Sequence, residues 1–348
     1  MVEKREYQPR LIAWEVTSRC PLSCRHCRAR ATDDERCDEL SFFEITKTID
    51  AISQSFSPIL ILTGGEPLLR DDIFEIISYG KHKGLRMVMA TCGMGITDEV
   101  VQKLKSSGIE RVSVSLDGAT EKEHDTFRQT SGSFQSVIAA AGLLRTNGLD
   151  FQINTTVHKD NITQLPAILA RAIELGAVAF HPFLLVPTGR AQHLKELELS
   201  PTAYESTLQW IADQDVAFPI QFKPTCAPHY KRIVQQKGRS VTPGKGCMGG
   251  EAFSFISATG DVQICGFLDL SAGNLREHNY AFEEIWNHSV FLDQIRDRTL
   301  YKGKCGVCEY GVMCGGCRAR AYAMSGDYLG EEPFCTYQPT TEKIEQRR

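Results

Sequence analysis

Short apolar runs alternate with helical periods along the first half of the chain. Apolar residues at helical spacing occur at Phe42–Phe56, Ile73–Lys83, Asp98–Ser106, Phe134–Arg145 and Leu165–Leu175. They separate six runs with the length and composition of buried strands, at Leu11–Thr17, Ile59–Thr63, Arg86–Thr91, Arg111–Leu116, Phe151–Val157 and Ala177–Val186. This order predicts parallel strands joined by right-handed crossovers, in a barrel or a doubly wound sheet.

Polar loops follow several of these predicted strands. The clearest are Thr63–Pro67, Thr91–Gly93 and Asp117–Gly118. In barrels and open parallel sheets, the functional site lies at the carboxyl ends of the strands. We therefore expect these loops to surround the site.

The alternation ends near Pro187. A helical segment follows at Pro201–Ala212, and the chain from Pro243 onward is rich in Gly and Cys, with a hairpin pattern at Phe253–Ile264. This last part has little apolar sequence of its own, so we expect metal to organise it. The sequence therefore predicts a barrel-like domain at 10–190, a bridging segment at 191–242 and a Cys-rich domain at 243–340.

Composition and charge indicate an ordinary globular protein. The chain has 348 residues, 42% hydrophobic and 24% charged, as in ordinary globular proteins. A net charge of −4 gives no reason to expect a nucleic-acid or anionic-membrane partner. There is no apolar run of about 18 residues to span a bilayer, and Met1–Arg10 has no signal-peptide core. We expect a cytoplasmic protein.

The 13 cysteines are the unusual feature of the composition. A chain of this length needs no disulfide staples, and a reducing compartment keeps thiols free, so metal ligation or catalysis is the better explanation. Three cysteines fall at 20–27 and seven between 247 and 335, whereas Cys37, Cys92 and Cys226 stand apart.

The first group is Cys20-x3-Cys24-x2-Cys27, directly after the first predicted strand. Three thiolates can bind three irons of a 4Fe–4S cluster and leave the fourth iron open to another ligand. The alternative is a zinc site, which needs a fourth Cys or His. His26 lies within the loop at a poor spacing for that role.

This motif after a first strand resembles the signature of the radical S-adenosylmethionine (SAM) superfamily. The resemblance covers about residues 10–190 and implies a partial (β/α)6 TIM-like barrel. In that family SAM binds the open iron and is cleaved to a 5′-deoxyadenosyl radical. The resemblance also implies SAM contacts, with the amino group at Gly64, Gly65 and Glu66, the ribose at Ser115 and Asp117, the methionine carboxylate at Arg128, and a less specific contact at Asn154. Each residue alone could equally be a turn, a cap or a surface charge, but their order on successive strands favours the site.

The second region contains Cys247, Cys265, Cys305, Cys308, Cys314, Cys317 and Cys335. A zinc ribbon usually separates its two Cys pairs by about 15–20 residues, but only five residues separate Cys308 from Cys314. The order resembles the SPASM extension of radical SAM enzymes, which carries auxiliary 4Fe–4S clusters. That resemblance assigns Cys305, Cys308, Cys314 and Cys335 to one cluster, and Cys247, Cys265 and Cys317 to another.

Two departures from the SPASM pattern leave alternatives open. The last spacing, Gly315-Gly316, is two residues instead of three, and no extra Cys completing the second set is evident. Three arrangements remain: an auxiliary cluster with an open iron, ligation by Cys226, or a single auxiliary cluster. Cys37 and Cys92 are expected to be bystanders.

Longer stretches resemble one subfamily, the heme b synthases of the siroheme-dependent pathway. The stretches are Pro9–Thr17, Phe151–Val157, Phe183–Ala191, Thr225–Tyr230 and Cys314–Tyr322. The resemblance implies oxidative decarboxylation of two propionates of iron-coproporphyrin III to vinyl groups. An auxiliary cluster could accept the released electron, and we expect a low-potential donor such as ferredoxin or flavodoxin.

A tetrapyrrole with four propionates requires cationic anchors, which Arg supplies best. Tentative substrate residues are Arg190, His229 and Arg318, with Arg320 nearby; each could instead be an ordinary surface charge or a structural residue. Three other functions are also considered: a SPASM enzyme that modifies peptides, another radical SAM step on a siroheme-derived tetrapyrrole, and an electron carrier without catalysis.

Overall fold

A parallel sheet forms the first half of the computed structural model, which describes residues 7–34, 36–241 and 246–340. Its first six strands are hydrogen-bonded neighbours in chain order. They are β1 (Leu11–Thr17), β2 (Ile59–Gly64), β3 (Arg86–Thr91), β4 (Ile109–Ser115), β5 (Phe151–Val157) and β6 (Ala179–Leu184). The predicted α/β architecture with a parallel barrel-like sheet is therefore confirmed.

Helices follow the strands and cover one face of the sheet. They are α1 (Phe42–Ser55), α2 (Ile73–His82), α3 (Asp98–Ser107), α4 (Glu121–Arg128), α5 (Ser133–Thr146) and α6 (Leu165–Leu175). Only α4 has no counterpart in the sequence analysis. Nearly all of its residues are polar, so hydrophobic periodicity cannot reveal it. A capping box between Thr120 and Glu123 starts the helix.

The two faces of the sheet differ in polarity. On β5, Ile153 and Val157 are fully buried on the helix-covered side. Gln152, Asn154 and Thr156 alternate with them, and the last two remain partly exposed. Because side chains alternate along a strand, these polar residues lie on the opposite, inward face. The inward face of the sheet at β5 is thus polar.

The second half extends the same sheet at both edges. Its helices are α7 (Pro201–Ala217), α8 (His229–Gln236), α9 (Phe282–His288), α10 (Val290–Arg296), α11 (Gly303–Val307) and α12 (Arg318–Ser325). The added strands are β7 (Gln221–Phe222), β8 (Phe253–Ile256), β9 (Asp261–Gln263) and β10 (Gly273–Asn274). β7 pairs with β6, and the predicted hairpin is present as β8 and β9. The boundary that we expected at 242–243 lies outside the described residues.

The Cys-rich half is joined to the barrel through β1. β8 pairs in parallel with β1, from Leu11 beside Phe253 to Trp14 beside Ile256. One apolar core runs from Trp14 through to Trp286 of α9. The two halves therefore share their sheet and core. Among the described residues, no helix combines the length and apolar character that a membrane crossing requires.

Candidate active site

Three cysteine side chains lie in the loop between β1 and α1. Cys20 and Cys24 are buried and Cys27 is partly exposed. Burial, and then the neighbouring Glu66, Cys24 and Cys27, raise the pKa of Cys20 to about 12. Three thiolates at this place therefore need a strong local positive charge, which iron supplies. The donor set fits three irons of a 4Fe–4S cluster.

Arg190 holds this loop in place. Its backbone N–H donates to the Cys27 carbonyl at 2.9 Å, its Nε donates to the Cys24 carbonyl at 2.8 Å, and a terminal nitrogen donates to the Ala31 carbonyl at 2.9 Å. The sequence suggested Arg190 as a substrate anchor. Because most of its guanidinium is engaged by the loop, the structure makes it a positioning residue for the cluster-binding cysteines.

The loop after β2 lies directly against the base of the cysteine loop. Gly65 N–H donates to the Thr17 carbonyl and Glu66 N–H to the Arg19 carbonyl, both at 2.7 Å. A Cβ atom on Gly65 would overlap the Arg19 carbonyl oxygen, and one on Gly64 would overlap that of Thr17. Only glycine permits so close a backbone approach. The expected SAM-binding loop is thus adjacent to the thiols.

The Glu66 carboxylate has a different environment from the one expected. It is 1% exposed and accepts hydrogen bonds from Thr91 Oγ1 at 2.8 Å and from the Cys92 N–H at 2.7 Å. Burial raises its pKa. In the structure this carboxylate fixes the end of β3, and its assignment to the SAM amino group stays a prediction. Cys92 is buried beside Cys20 and Glu66.

Asp117 and Arg128 form a buried ion pair next to Cys24. Arg128 Nε and a terminal nitrogen donate to Asp117 Oδ2 at 2.7 and 2.6 Å, and the Thr156 N–H donates to Oδ1 at 2.6 Å. Although burial opposes ionisation, the Arg128 guanidinium lowers the pKa of Asp117 to about 2. The other Arg128 nitrogen lies 3.8 Å from Cys24 Sγ. Asp117 therefore orients Arg128 at the cluster loop, and its expected contact with the SAM ribose stays a prediction.

Ser115 and Asn154 meet on the inward face. They are register partners on β4 and β5, and both are partly exposed. This placement agrees with the SAM contacts suggested for them and leaves both as candidates.

The zinc alternative at the first loop depended on His26. Its ring stacks on Phe127 with 4.3 Å between centroids, and Phe127 stacks on His158 at 4.2 Å. Burial lowers the pKa of His26 to about 3. Within the part of the chain that the structure describes, no three His, Cys or carboxylate groups converge around one point as a mononuclear ion requires. A four-iron cluster is a larger body, and its thiolates lie farther apart.

Four cysteines of the second region form one group, which we call the C-terminal thiol set: Cys305, Cys308, Cys314 and Cys335. Burial and then the neighbouring Cys305 and Cys335 raise the pKa of Cys314. The same two thiols act on Cys308. The grouping agrees with the assignment implied by the SPASM resemblance.

Cys226 and the other three cysteines of the second region form what we call the hairpin thiol set: Cys226, Cys247, Cys265 and Cys317. Burial raises the pKa of Cys226, and the nearest thiols that raise it further are Cys317, Cys265 and Cys247. The structure thus brings the isolated Cys226 to the three cysteines that lacked a fourth partner.

Local backbone geometry separates the two sets. Gly315 and Gly316 both have left-handed φ angles, 71° and 67°, which glycine adopts without strain. This turn directs Cys314 and Cys317 to different sets. Cys226 also has a left-handed φ of 56°. Its carbonyl accepts hydrogen bonds from Tyr204 Oη at 3.0 Å and from Arg320 at 3.1 Å, which hold that unusual conformation.

The remaining suggested substrate anchors are buried in the Cys-rich half. Arg318 donates to the carbonyls of Tyr328 and Gly330 at 3.0 and 2.6 Å and lies 3.7 Å from Cys305 Sγ. Arg320 pairs with Glu332 at 3.2 Å. His229 is 1% exposed, and its ring nitrogens have no hydrogen-bond partner among the described residues. The structure places these three residues around the thiol sets, and their expected contacts with substrate stay predictions.

Sequence reasoning missed Glu332, which joins the two thiol sets. Its carboxylate accepts a hydrogen bond from the Cys317 N–H at 2.7 Å, and its own N–H donates to Cys305 Sγ at 3.3 Å. No motif marks this residue. Its proximity to Cys335 in sequence was the available signal.

Two family models match the chain. The radical SAM superfamily model matches residues 14–172, and SPASM, described as an iron-sulfur cluster-binding domain, matches residues 247–314. The chain is 47% identical over 343 residues to the AdoMet-dependent heme synthase of Methanosarcina barkeri, covering 95% of this chain and 97% of that protein. It is also 47% identical over 342 residues to the AdoMet-dependent heme synthase of Nitratidesulfovibrio vulgaris, covering 95% and 93%.

Other matches share the fold at lower identity. The PqqA peptide cyclase of Gluconobacter oxydans is 26% identical over 356 residues, with 97% and 93% of the two chains covered. The crystal structure of Streptococcus suis SuiB bound to S-adenosylmethionine superposes with a TM-score of 0.76 at 15% identity, covering 95% of this chain and 78% of SuiB. At that identity the likeness concerns the fold alone.

Proposed function

Because the chain belongs to the radical SAM superfamily and, within it, to the AdoMet-dependent heme synthases, we propose that it decarboxylates two propionates of iron-coproporphyrin III to vinyl groups and so forms heme b. The observation that carries this proposal is 47% identity over nearly the full length of both chains. Similarity at lower identity carries less weight, because a PqqA peptide cyclase also matches the chain at 26% identity.

The residues fit the groups that this chemistry requires. Cys20, Cys24 and Cys27 would hold a 4Fe–4S cluster that leaves one iron for SAM. Ser115 and Asn154 would contact SAM from β4 and β5, and Arg128 would do so from the end of α4. When bound, the clusters and SAM supply a primary carbon radical and sites that exchange single electrons.

Each decarboxylation removes a hydrogen atom, CO2 and one electron from a propionate. For each propionate, a hydrogen atom leaves the carbon attached to the macrocycle, the bond to the carboxylate breaks, and CO2 departs. One electron must also be removed so that the two remaining carbons form a neutral vinyl group. Two propionates therefore require two SAM molecules and release two electrons.

Both thiol sets support auxiliary clusters. The C-terminal thiol set provides four thiolates, and we propose that Cys226 completes the hairpin thiol set as its fourth ligand. A low-potential donor such as ferredoxin or flavodoxin would deliver electrons. Thirteen free cysteines suit a reducing compartment, and the cytoplasm is our proposal for the location.

A turnover assay tests the assignment. Protein reconstituted under strict anaerobiosis is incubated with SAM, dithionite and, separately, iron-coproporphyrin III, a siroheme-derived tetrapyrrole and a peptide substrate. The expected result is heme from iron-coproporphyrin III alone, seen by absorbance and mass. SAM cleavage accompanied by modification of only the peptide or only the siroheme derivative would refute the proposal.

A further inference from the structure

A row of polar side chains crosses the inward face from β4 to the sheet edge at β7. Ser115 pairs with Asn154, and Asn154 pairs with His181 on β6. Directly after β7, the Lys223 N–H donates to the Phe180 carbonyl at 3.1 Å, which places Lys223 beside His181. Register partners in parallel strands point to the same face. The row therefore begins at the suggested SAM contacts and ends at a lysine.

Arg111 lies on the same face of β4, four residues before Ser115. Its Nε is buried and has no hydrogen-bond partner within the described ranges. The charged groups that act on Lys223 are Arg111 and Arg10, and those that act on His181 are Lys223 and Arg111. All of these groups are cationic, so the inward face between β4 and β7 carries a concentration of positive charge.

Burial and these like charges lower the pKa values of His181 and Lys223. Burial, then Lys223 and Arg111, lower the pKa of His181 to about 3. Burial, then Arg111 and Arg10, also lower the pKa of Lys223. Desolvated cations without a partner are unfavourable, and an anion in the same place relieves that cost. The most suitable anion is a carboxylate, which the Arg fork binds through two hydrogen bonds.

Neutral His181 is oriented by its neighbour. Gln152 Nε2 lies 3.0 Å from His181 Nδ1 and 3.0 Å from Asn154 Oδ1. Because the amide nitrogen donates, His181 Nδ1 accepts and the proton of the neutral ring is on Nε2. His181 thus offers one N–H donor next to the two cations.

We propose that Arg111 and Lys223, assisted by His181, bind a carboxylate of the substrate on the inward face of the barrel. The inference rests on the proposed function and names the residues that recognise its multiply charged tetrapyrrole. Two strand spacings, about 10 Å, separate Asn154 from Lys223. A substrate with carboxylates on several sides can therefore place one near SAM while another is held at Lys223.

The test measures equilibrium binding of iron-coproporphyrin III to cluster-loaded protein by absorbance titration. Lys223→Gln and Arg111→Gln are each expected to raise the Kd about tenfold or more, because each removes a charge-assisted contact. Lys223→Arg should restore binding to near the wild-type value. The tetramethyl ester, which lacks the charges, should bind the wild type and the variants equally.

Matched controls replace cations on the outer helices. Lys103→Gln on α3 and Arg171→Gln on α6 remove residues that pair at the surface with Glu99 and Glu174, and they should bind like the wild type. Iron and sulfide contents equal to the wild type establish that each variant is folded. If Lys223→Gln, loaded with its clusters, binds the tetra-acid as tightly as the controls, the inference is wrong while the proposed function stands. If the wild type fails to bind iron-coproporphyrin III, the proposed function fails first and this inference fails with it.

Discussion

Polar residues around the first thiol loop mainly fix the positions of neighbouring side chains and backbone. Arg190 fixes the cysteine loop, Glu66 fixes the end of β3, and Asp117 directs Arg128 toward Cys24. Glu66 and Asp117 are buried and Arg190 is partly buried, so each depends on its partner. The sequence identifies several of them as functional, but it cannot separate a group that touches SAM from one that orients a group touching SAM.

Replacing Asp117 tests the buried pair. In Asp117→Asn, Arg128 loses its counter-charge in a buried site, which is expected to reduce the free energy of unfolding by about 3 kcal/mol and to weaken SAM binding. Asp213→Asn removes an exposed partner of Lys237 and should cost no more than about 1 kcal/mol. Anaerobic chemical denaturation measures both. Equal losses in the two variants would contradict this account of Asp117.

The same variant has a defined pH dependence. Because the pKa of folded Asp117 is lowered to about 2, its stabilisation is complete well above the unfolded value of about 3.9 and is lost only as the pH falls toward the folded value. The stability difference between wild type and Asp117→Asn should thus stay constant between about pH 6 and 8. A difference that changes across this range would show that the group titrates there.

Cys226 gives a second test at the residue scale. Cys226→Ala removes the thiol that we assign as the fourth ligand of the hairpin thiol set, so the spectrum of one auxiliary cluster should change or be lost. Electron paramagnetic resonance of the reduced protein, together with iron and sulfide counts, measures the effect. The control is Cys37→Ala, since Cys37 is exposed. Identical spectra and counts for both variants would remove Cys226 from the ligand set.

At the scale of elements, the six strands could be predicted because each is a short apolar run bounded by loops. The helix α4 could not be predicted in this way, since its buried residues are His124, Phe127 and Arg128 and only Phe127 is apolar. For the site, Cys spacing identified the metal-binding loops. The partner of each polar group could not be predicted, because pairs such as Arg190 with Cys24 and Arg320 with Cys226 join distant parts of the chain.

The contact between the loop after β2 and the cysteine loop gives a testable prediction at this scale. Gly65→Ala places a Cβ against the Arg19 carbonyl, so the loop after β2 must move away from the cysteine loop. We expect SAM affinity to fall about tenfold or more, measured by equilibrium dialysis. Gly142→Ala on α5 adds a Cβ in open space and should leave SAM binding unchanged while gaining about 0.5–1 kcal/mol. Unaltered SAM affinity in Gly65→Ala would contradict the role of this contact.

At the scale of the whole molecule, two features stabilise the Cys-rich half: pairing with the barrel sheet and the metal binding that we propose. The hairpin β8–β9 continues the barrel sheet through β1. The stretch from Cys305 to Cys335 has few buried apolar side chains, namely Cys314, Cys317, Ala319, Ala321 and Phe334. The sequence anticipated that metal would organise this half, but pairing of β8 with β1 has no signal in hydrophobic pattern alone.

Hydrogen–deuterium exchange distinguishes stabilisation by sheet pairing from stabilisation by the clusters. Comparing cluster-loaded with cluster-free protein, we expect faster exchange at 305–335 in the absence of clusters, because metal replaces an apolar core there. The strands β1 to β6 should keep their protection, and β8 should behave like them. Uniform loss of protection across the barrel would show that the clusters stabilise the whole sheet.

The most direct measurement follows a deuterium label through one turnover. Iron-coproporphyrin III deuterated at the propionate carbons attached to the macrocycle is incubated anaerobically with the protein, SAM and a reductant, and the 5′-deoxyadenosine is analysed by mass. The account predicts one deuterium in each 5′-deoxyadenosine and two such molecules for each heme formed. Unlabelled 5′-deoxyadenosine accompanied by heme, or labelled substrate recovered unchanged while SAM is consumed, would contradict it.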